Sequence, residues 1–228
     1  MSYLRPLLLL LLVAFTGCLT IEEQYTFKKD GSGTMTYVVD MSEMGEMIDG
    51  LSKVTKEAGG SDEPVMELDE EAAALKGLPG ISKVKVSKGK EWVRSVTFRF
   101  KDITALNAAL NVLMPDSTGE QHTFFAWEGN TLVRRNNRFA SELGQSMGDM
   151  GRGEEDAADG GEGMDLGLLL GSMKYKYSFK FANAITGTTS EEGVEQERKG
   201  TKEVFWNTDW SVIAKNDKAL DLRIDLDR

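Results

Sequence analysis

The sequence predicts an α+β fold: a largely antiparallel sheet built from hairpins, with helices packed on one face. Three observations carry this. Several stretches alternate apolar and polar side chains with a period of two, the signature of a strand with one covered face. Between them lie stretches with apolar residues at helical spacing, two of them opened by an acidic cap, Asp40 and Asp102. Glycine-bearing turns join many of the strands in pairs. One-faced alternation suits antiparallel sheets, and hairpins with separate helices suit the α+β class.

The chain begins with a segment of another kind. Arg5 is the one charged side chain before Glu22, and Leu7 to Phe15 form an unbroken apolar run ending at Thr16-Gly17-Cys18. A basic start, a short apolar middle and small residues at the end make a secretory signal over residues 1–17. The run is shorter than the roughly 20 apolar residues that cross a bilayer, which argues against a spanning helix. Phe15-Thr16-Gly17-Cys18 resembles the lipobox of bacterial lipoproteins, with Phe where the usual pattern has Leu. The resemblance implies cleavage after Gly17, diacylglycerol on the Cys18 sulfur and acylation, such as palmitate, of the new amine. Cys18 is the chain's one cysteine, so it has no partner within the chain for a disulfide. Stable anchoring takes about two lipid chains, which a diacylglycerol supplies. Leu19 follows the cysteine; the resemblance implies the outer membrane where Asp is absent from that place.

Residues 18–228 read as one domain. Leu19, Ile21, Tyr25 and Phe27 alternate with Thr20, Glu22, Gln24 and Thr26, and only Glu23 breaks the apolar side. Lys29-Asp30-Gly31-Ser32-Gly33 is a hairpin turn, and Met35, Tyr37 and Val39 resume the alternation. Asp40 caps a helix carrying Met44, Met47, Ile48, Leu51 and Val54. A second helix spans 67–76 and stops at Gly77. Val84 and Val86 mark a strand, and 92–100 a longer one. Asp102 caps a helix over 103–114 with Leu106, Leu110 and Leu113 inward. Residues 122–128 and 131–136 form a hairpin turning at Glu128-Gly129-Asn130, and a helix covers about 137–147. At about 148–165 the chain is rich in Gly and acid and poor in apolar side chains, which predicts a mobile acidic loop. A brief helix follows over 166–173. Strands then cover 174–181, 201–206 and 220–227, with Asn207-Thr208-Asp209 as a turn.

Composition limits function. The formal net charge is −10 and the pI about 4.8, and loss of Arg5 makes the remainder one unit more acidic. Such a chain is a poor partner for nucleic acid, whose phosphates need Lys and Arg opposite them. Electrostatics would not pull it onto anionic headgroups either, so the lipid on Cys18 must do the anchoring.

The candidate sites divide in the same way. Asp30-Gly31-Ser32-Gly33 looks like the middle of a calcium loop, but alignment on Gly33 puts Lys28 and Val39 where carboxylates belong. The same glycines lack the Lys-Ser/Thr of a phosphate loop. His122 is the one histidine, so a metal cluster or triad lacks its partners. Met41, Met44, Met47, Met147 and Met150 raise a thioether copper site or the wall of an acyl pocket. The stripe shared with Ile48 and Leu51 reads first as core. Trp206 and Trp210 flank the expected turn and read first as packing on the sheet. No catalytic set, cofactor or metal site is legible. The layout of lipidated cysteine, strand, Asp-Gly-Ser-Gly turn, strand and helix, ending in a Trp-bearing strand and a last alternating strand, resembles small lipid-anchored envelope proteins. Their function is mostly unassigned, and some are thought to hold lipid between sheet and helices. The expected function is a non-catalytic, lipid-anchored envelope protein binding a partner protein or a lipid. The alternative is an envelope hydrolase acting on glycan or peptide through paired carboxylates.

Overall fold

In a computed structural model, the chain is described over residues 19–43, 45, 68–89, 92–116, 118–135 and 171–227. The leader expected over 1–17 and Cys18, all but residues 43 and 45 of the helix expected over 43–54, the helix expected over about 137–147, the expected acidic loop at about 148–165 and nearly all of the brief helix expected over 166–173 lie outside these residues.

The described residues form eleven strands in two sheets and three helices. They run β1 (Thr20–Phe27), β2 (Gly33–Asp40), α1 (Asp69–Lys76), β3 (Ile81–Ser87), β4 (Val93–Phe100), α2 (Ile103–Leu113), β5 (Phe125–Glu128) and β6 (Thr131–Arg134). Then follow β7 (Lys174–Phe181), β8 (Ile185–Ser190), β9 (Glu195–Lys199), β10 (Glu203–Asp209), α3 (Trp210–Ile213) and β11 (Leu222–Leu226). The large sheet has the order β3-β4-β2-β1-β7-β10-β9, the small one β5-β6-β11-β8. Pairing is antiparallel except that β1 runs parallel to β7, Thr20 facing Lys174 and Phe27 facing Phe181.

Period-two patterning decides which side of the large sheet is inner. Ile21, Tyr25 and Phe27 of β1, Met35, Tyr37 and Val39 of β2, and Tyr175, Tyr177, Phe179 and Phe181 of β7 are all buried. The helices α1 and α2 pack over the β3–β4 side of that face. The small sheet covers its centre: Phe125 meets Tyr25 edge-on at 5.1 Å, and Trp127 meets Phe27 at 5.9 Å. Tyr25, Phe179, Phe181 and Phe27 stack along the two parallel strands at 4.8–6.3 Å. Each buried side chain of this size contributes about 1.5–3 kcal/mol, so this aromatic layer is a main source of stability.

Local chemistry fixes the joints. Four Asp-x-Ser/Thr turns recur, at Asp30/Ser32, Asp40/Ser42, Asp116/Thr118 and Asp209/Ser211. In each, the carboxylate accepts from the backbone N–H and the hydroxyl two residues on. Gly31 supplies the positive φ (81°) of the first turn. Gly33 has another cause: a Cβ there would lie 2.1 Å from the Thr26 carbonyl oxygen and 2.3 Å from the Phe100 ring. Asp102 caps α2 by accepting from the Ala105 N–H at 2.9 Å.

Several boundaries differ from the sequence reading. Asn207-Thr208-Asp209 continue β10, because Asn207 faces Lys176 and Glu195 across two ladders. β11 pairs only from Leu222, since the Asp221 N–H is taken in a turn by the Lys218 carbonyl at 2.8 Å. β8 and β9 are additional strands. Their sequences, ITGTTS and EQERK, carry no apolar alternation, and β9 is exposed throughout. An exposed, charged edge strand of this kind resists pairing with other chains.

Candidate functional site

The polar centre of the molecule is an ion pair that joins the two sheets. Glu23 on β1 and Arg134 at the end of β6 are both wholly buried. Arg134 meets the carboxylate with both arms of its fork, Nη1 to Oε2 at 2.5 Å and Nη2 to Oε1 at 3.0 Å. The Tyr25 hydroxyl donates to Oε2 and the Tyr175 hydroxyl to Oε1. The guanidinium lies 4.4 Å from the Tyr177 ring centre and 5.4 Å from that of Phe125, over electron-rich faces.

Electrostatics follow from burial. Desolvation works against the charge of Arg134, but the adjoining Glu23 carboxylate, with Tyr177 and Tyr25, outweighs it and holds the guanidinium protonated above its ordinary range. Burial first, and then the Glu23 charge, push the Tyr25 and Tyr175 phenols well above theirs. Tyr37 and Tyr177 are raised by the same burial. An ionised carboxylate offers about four acceptor positions, and here two guanidinium nitrogens and two phenols occupy them. The carboxylate is thus fully occupied and acts as a rivet between the sheets.

Sequence reasoning noted Glu23 as a break in an apolar face but did not assign it a partner. The break was the signal, because a carboxylate cannot stay in such a face without a cation and donors. Arg134 carried no comparable mark in a short hairpin.

The residues singled out in the sequence are dispersed. Cys18 lies outside the described residues, but Leu19 is buried and its carbonyl accepts from the Lys174 N–H at 2.8 Å. Residue 19, next to Cys18, is thus already part of the sheet's packing. His122 Nε2 lies 2.8 Å from Asp116 Oδ2. Two bonds from Thr118, then the His122 ring, depress the Asp116 pKa far below the usual carboxylate range. Met41 is in the core, while Met44, Met47, Met147 and Met150 are not among residues whose side chains are described. Trp206 and Trp210 are buried, in the inner face of β10 and at the start of α3, so they pack on the sheet. Among the described residues no group of three His, Cys, Asp or Glu side chains is placed to hold a metal, and no helix is long and apolar enough to cross a membrane.

A pair of asparagines went unread. Asn107 and Asn111, one turn apart on α2, clamp the segment leading into β5. Asn107 donates to the Phe125 carbonyl and accepts from the Phe125 N–H, both at 2.8 Å. Asn111 does the same for His122 at 2.8 and 2.7 Å. Two amides thus imitate a strand edge, joining helix to sheet.

Hollows among the described residues include two on the surface. One, of 170 Å³, lies where β6, β8 and β11 end, lined by Arg134, Arg135, Glu191, Asp221 and Arg223 among others. The other, of 230 Å³, lies beside the first hairpin turn, lined by Lys29, Asp30, Gly31, Asp102, Ile103 and Trp127.

No protein-family model matches the chain, and no curated protein matches it. Among solved structures, it is similar to the folded domain of the Mycobacterium tuberculosis protein LppM. The identity is 12%, the likeness covers 92% of this chain and 90% of that one, and the TM-score is 0.42, a loose likeness.

Proposed function

We propose that the chain is a lipid-anchored protein of the bacterial cell envelope, cut before Cys18, whose folded part binds a partner and does no covalent chemistry. The observation that supports it is the junction at residue 19. A short apolar leader ends at Cys18, and the next residue is already hydrogen-bonded into the large sheet. Lipid on Cys18 would hold that end of the sandwich against the bilayer with almost no linker. The absence of Asp after the cysteine favours the outer membrane.

Binding is preferred to hydrolysis because the one wholly buried carboxylate among the described residues, Glu23, is occupied by four donors. Glycan or peptide hydrolysis needs two carboxylates with free positions in one cleft. The filled aromatic layer between the sheets also favours a surface partner over lipid held inside.

Mass spectrometry of the detergent-extracted chain tests the anchor. The expected mass is that of residues 18–228 plus diacylglycerol and, with N-acylation, a further acyl chain. Cys18→Ala is expected to abolish both processing and lipid. A free thiol at Cys18 in the native protein, or a retained leader, refutes the reading.

A further inference from the structure

The turns that close one end of the sandwich are basic, although the chain as a whole carries a net charge of −10. β1 runs away from Cys18, and its eight residues at about 3.3 Å each put its far end roughly 25 Å from the anchor. Strand register collects six exposed lysines there. Lys28 and Lys29 open the first hairpin turn, and Lys101 follows Phe100, which faces Gly33. Lys180 faces Thr26 and Glu203, Lys199 faces Glu203, and the Lys202 carbonyl accepts from the Phe181 N–H. None of the six forms an ion pair among the described residues.

The carboxylates at that end are fewer and partly engaged. Asp30 holds its own turn, Asp102 caps α2 and Glu128 is paired with Arg135 and Arg223, leaving Glu203 and Asp227. At the anchor end the balance is opposite. Asp40, Glu43, Asp69, Glu70 and Asp209 gather there, and two of the nearby lysines are paired, Lys88 with Asp69 at 3.0 Å and Lys174 with Asp209 at 3.9 Å. The molecule is therefore polarised along β1.

We propose that this lysine-bearing end docks on an acidic phospholipid surface opposite the membrane that holds the anchor; the direction, though not the surface, rests on the lipid-anchor reading above. Long, flexible lysines spread over turns suit an extended sheet of phosphates, because each ammonium is a separate point charge. A threaded anionic polymer suits them less. The hollow at this end sets Asp30 and Asp102 beside its one lysine, Lys29, so a polyanion entering it would meet two carboxylates.

The test uses the full chain, inserted through its own lipid into neutral phosphatidylcholine vesicles. A second, dye-labelled population is either neutral or contains phosphatidylglycerol. Flotation with the first vesicles reads the anchor, and co-capture of the second reads the tip. Capture of acidic but not neutral vesicles, lost at high salt, is expected. Each of Lys28→Gln, Lys29→Gln and Lys101→Gln should weaken capture about fivefold, while Lys→Arg at the same places should retain it. Equal capture of both populations, or undiminished capture by the triple Gln variant, overturns the proposal. So does binding of soluble polyglutamate without capture of acidic vesicles. If the protein fails to float with the first population, the anchor reading alone falls. Direct co-flotation with acidic vesicles then reads the tip.

Discussion

Removing one partner of the Glu23–Arg134 pair should cost more than any single apolar truncation of similar size, and unequally on the two sides. Loss of one member of a buried pair typically costs about 3–5 kcal/mol, because the other charge stays behind without compensation. Domains of this kind are stable by about 5–15 kcal/mol, so the loss is a third or more of the total at the centre of both ranges. Glu23→Gln should lie at the upper end. It leaves a guanidinium that cannot shed its proton and turns an amide N–H₂ toward other donors. Arg134→Met keeps most of the volume and leaves a carboxyl that can discard its charge by taking up a proton. That proton is held more tightly by the folded than by the unfolded chain, so this variant's deficit should shrink as pH falls. The Glu23→Met/Arg134→Met double variant should cost far less than the two single losses together, with a coupling of about 3 kcal/mol or more. It should not recover fully, because the Tyr25 hydroxyl loses its acceptor, at about 1–3 kcal/mol. Urea unfolding of the native protein, Glu23→Gln, Glu23→Met, Arg134→Met and the double variant across a pH series measures all of this, the two Met singles closing the cycle. Additive single losses, or a Glu23→Gln variant within about 1 kcal/mol of the native protein, would refute the claim that the pair acts as one unit.

Two further predictions concern the same interior. Burial raises the phenols of Tyr25, Tyr37, Tyr175 and Tyr177 above their ordinary value, so their share of stability is complete below about pH 10 and is lost as pH rises beyond it, when the unfolded chain ionises and the folded one does not. Tyrosinate absorbance should therefore appear together with loss of near-ultraviolet circular dichroism, and a gradual titration in a folded protein would count against the buried network. Asn107→Ala, which orphans the Phe125 N–H and carbonyl, should lower stability by about 1–3 kcal/mol in thermal or urea unfolding. A neutral result would mean that water replaces the clamp.

The legible part of this fold is the part governed by one-faced periodicity. β1, β2, β7 and the core of β11 can be read off the alternation of Ile21 to Phe27, Met35 to Val39, Tyr175 to Phe181 and Leu222 to Leu226, because the inner face of a half-covered sheet admits little but apolar side chains. α2 is legible from Asp102 and the Leu106/Leu110/Leu113 stripe. β8 and β9 are not, since strands near an edge with both sides polar are specified by their neighbours' hydrogen bonds rather than by their own pattern. The division into two sheets escaped for a related reason: a short hairpin such as β5–β6 carries no mark of which face it will cover. The ion pair was half legible. An isolated acid in an apolar face declares that a cation must arrive, but its origin, 111 positions along the chain, is a property of packing.

Most polar side chains near the joints are already committed to architecture. Asp30, Asp40, Asp116 and Asp209 close turns on Ser or Thr two residues on; Asn107 and Asn111 hold α2 to the small sheet; Glu23 and Arg134 hold sheet to sheet. A chain this acidic would repel an anionic surface if its charge were spread evenly. Among the described residues it is not: carboxylates gather toward the Thr20 end of β1, and six lysines without ion pairs lie at the far one. Like charges held in one layer cost stability through mutual repulsion, and only part of that is offset within the fold, by Glu203 between Lys180 and Lys199 and by the Ala182 carbonyl that accepts from Lys202 Nζ at 2.6 Å. The far end is thus where the proposed phosphate-bearing partner is to be sought, on the sign of its charge.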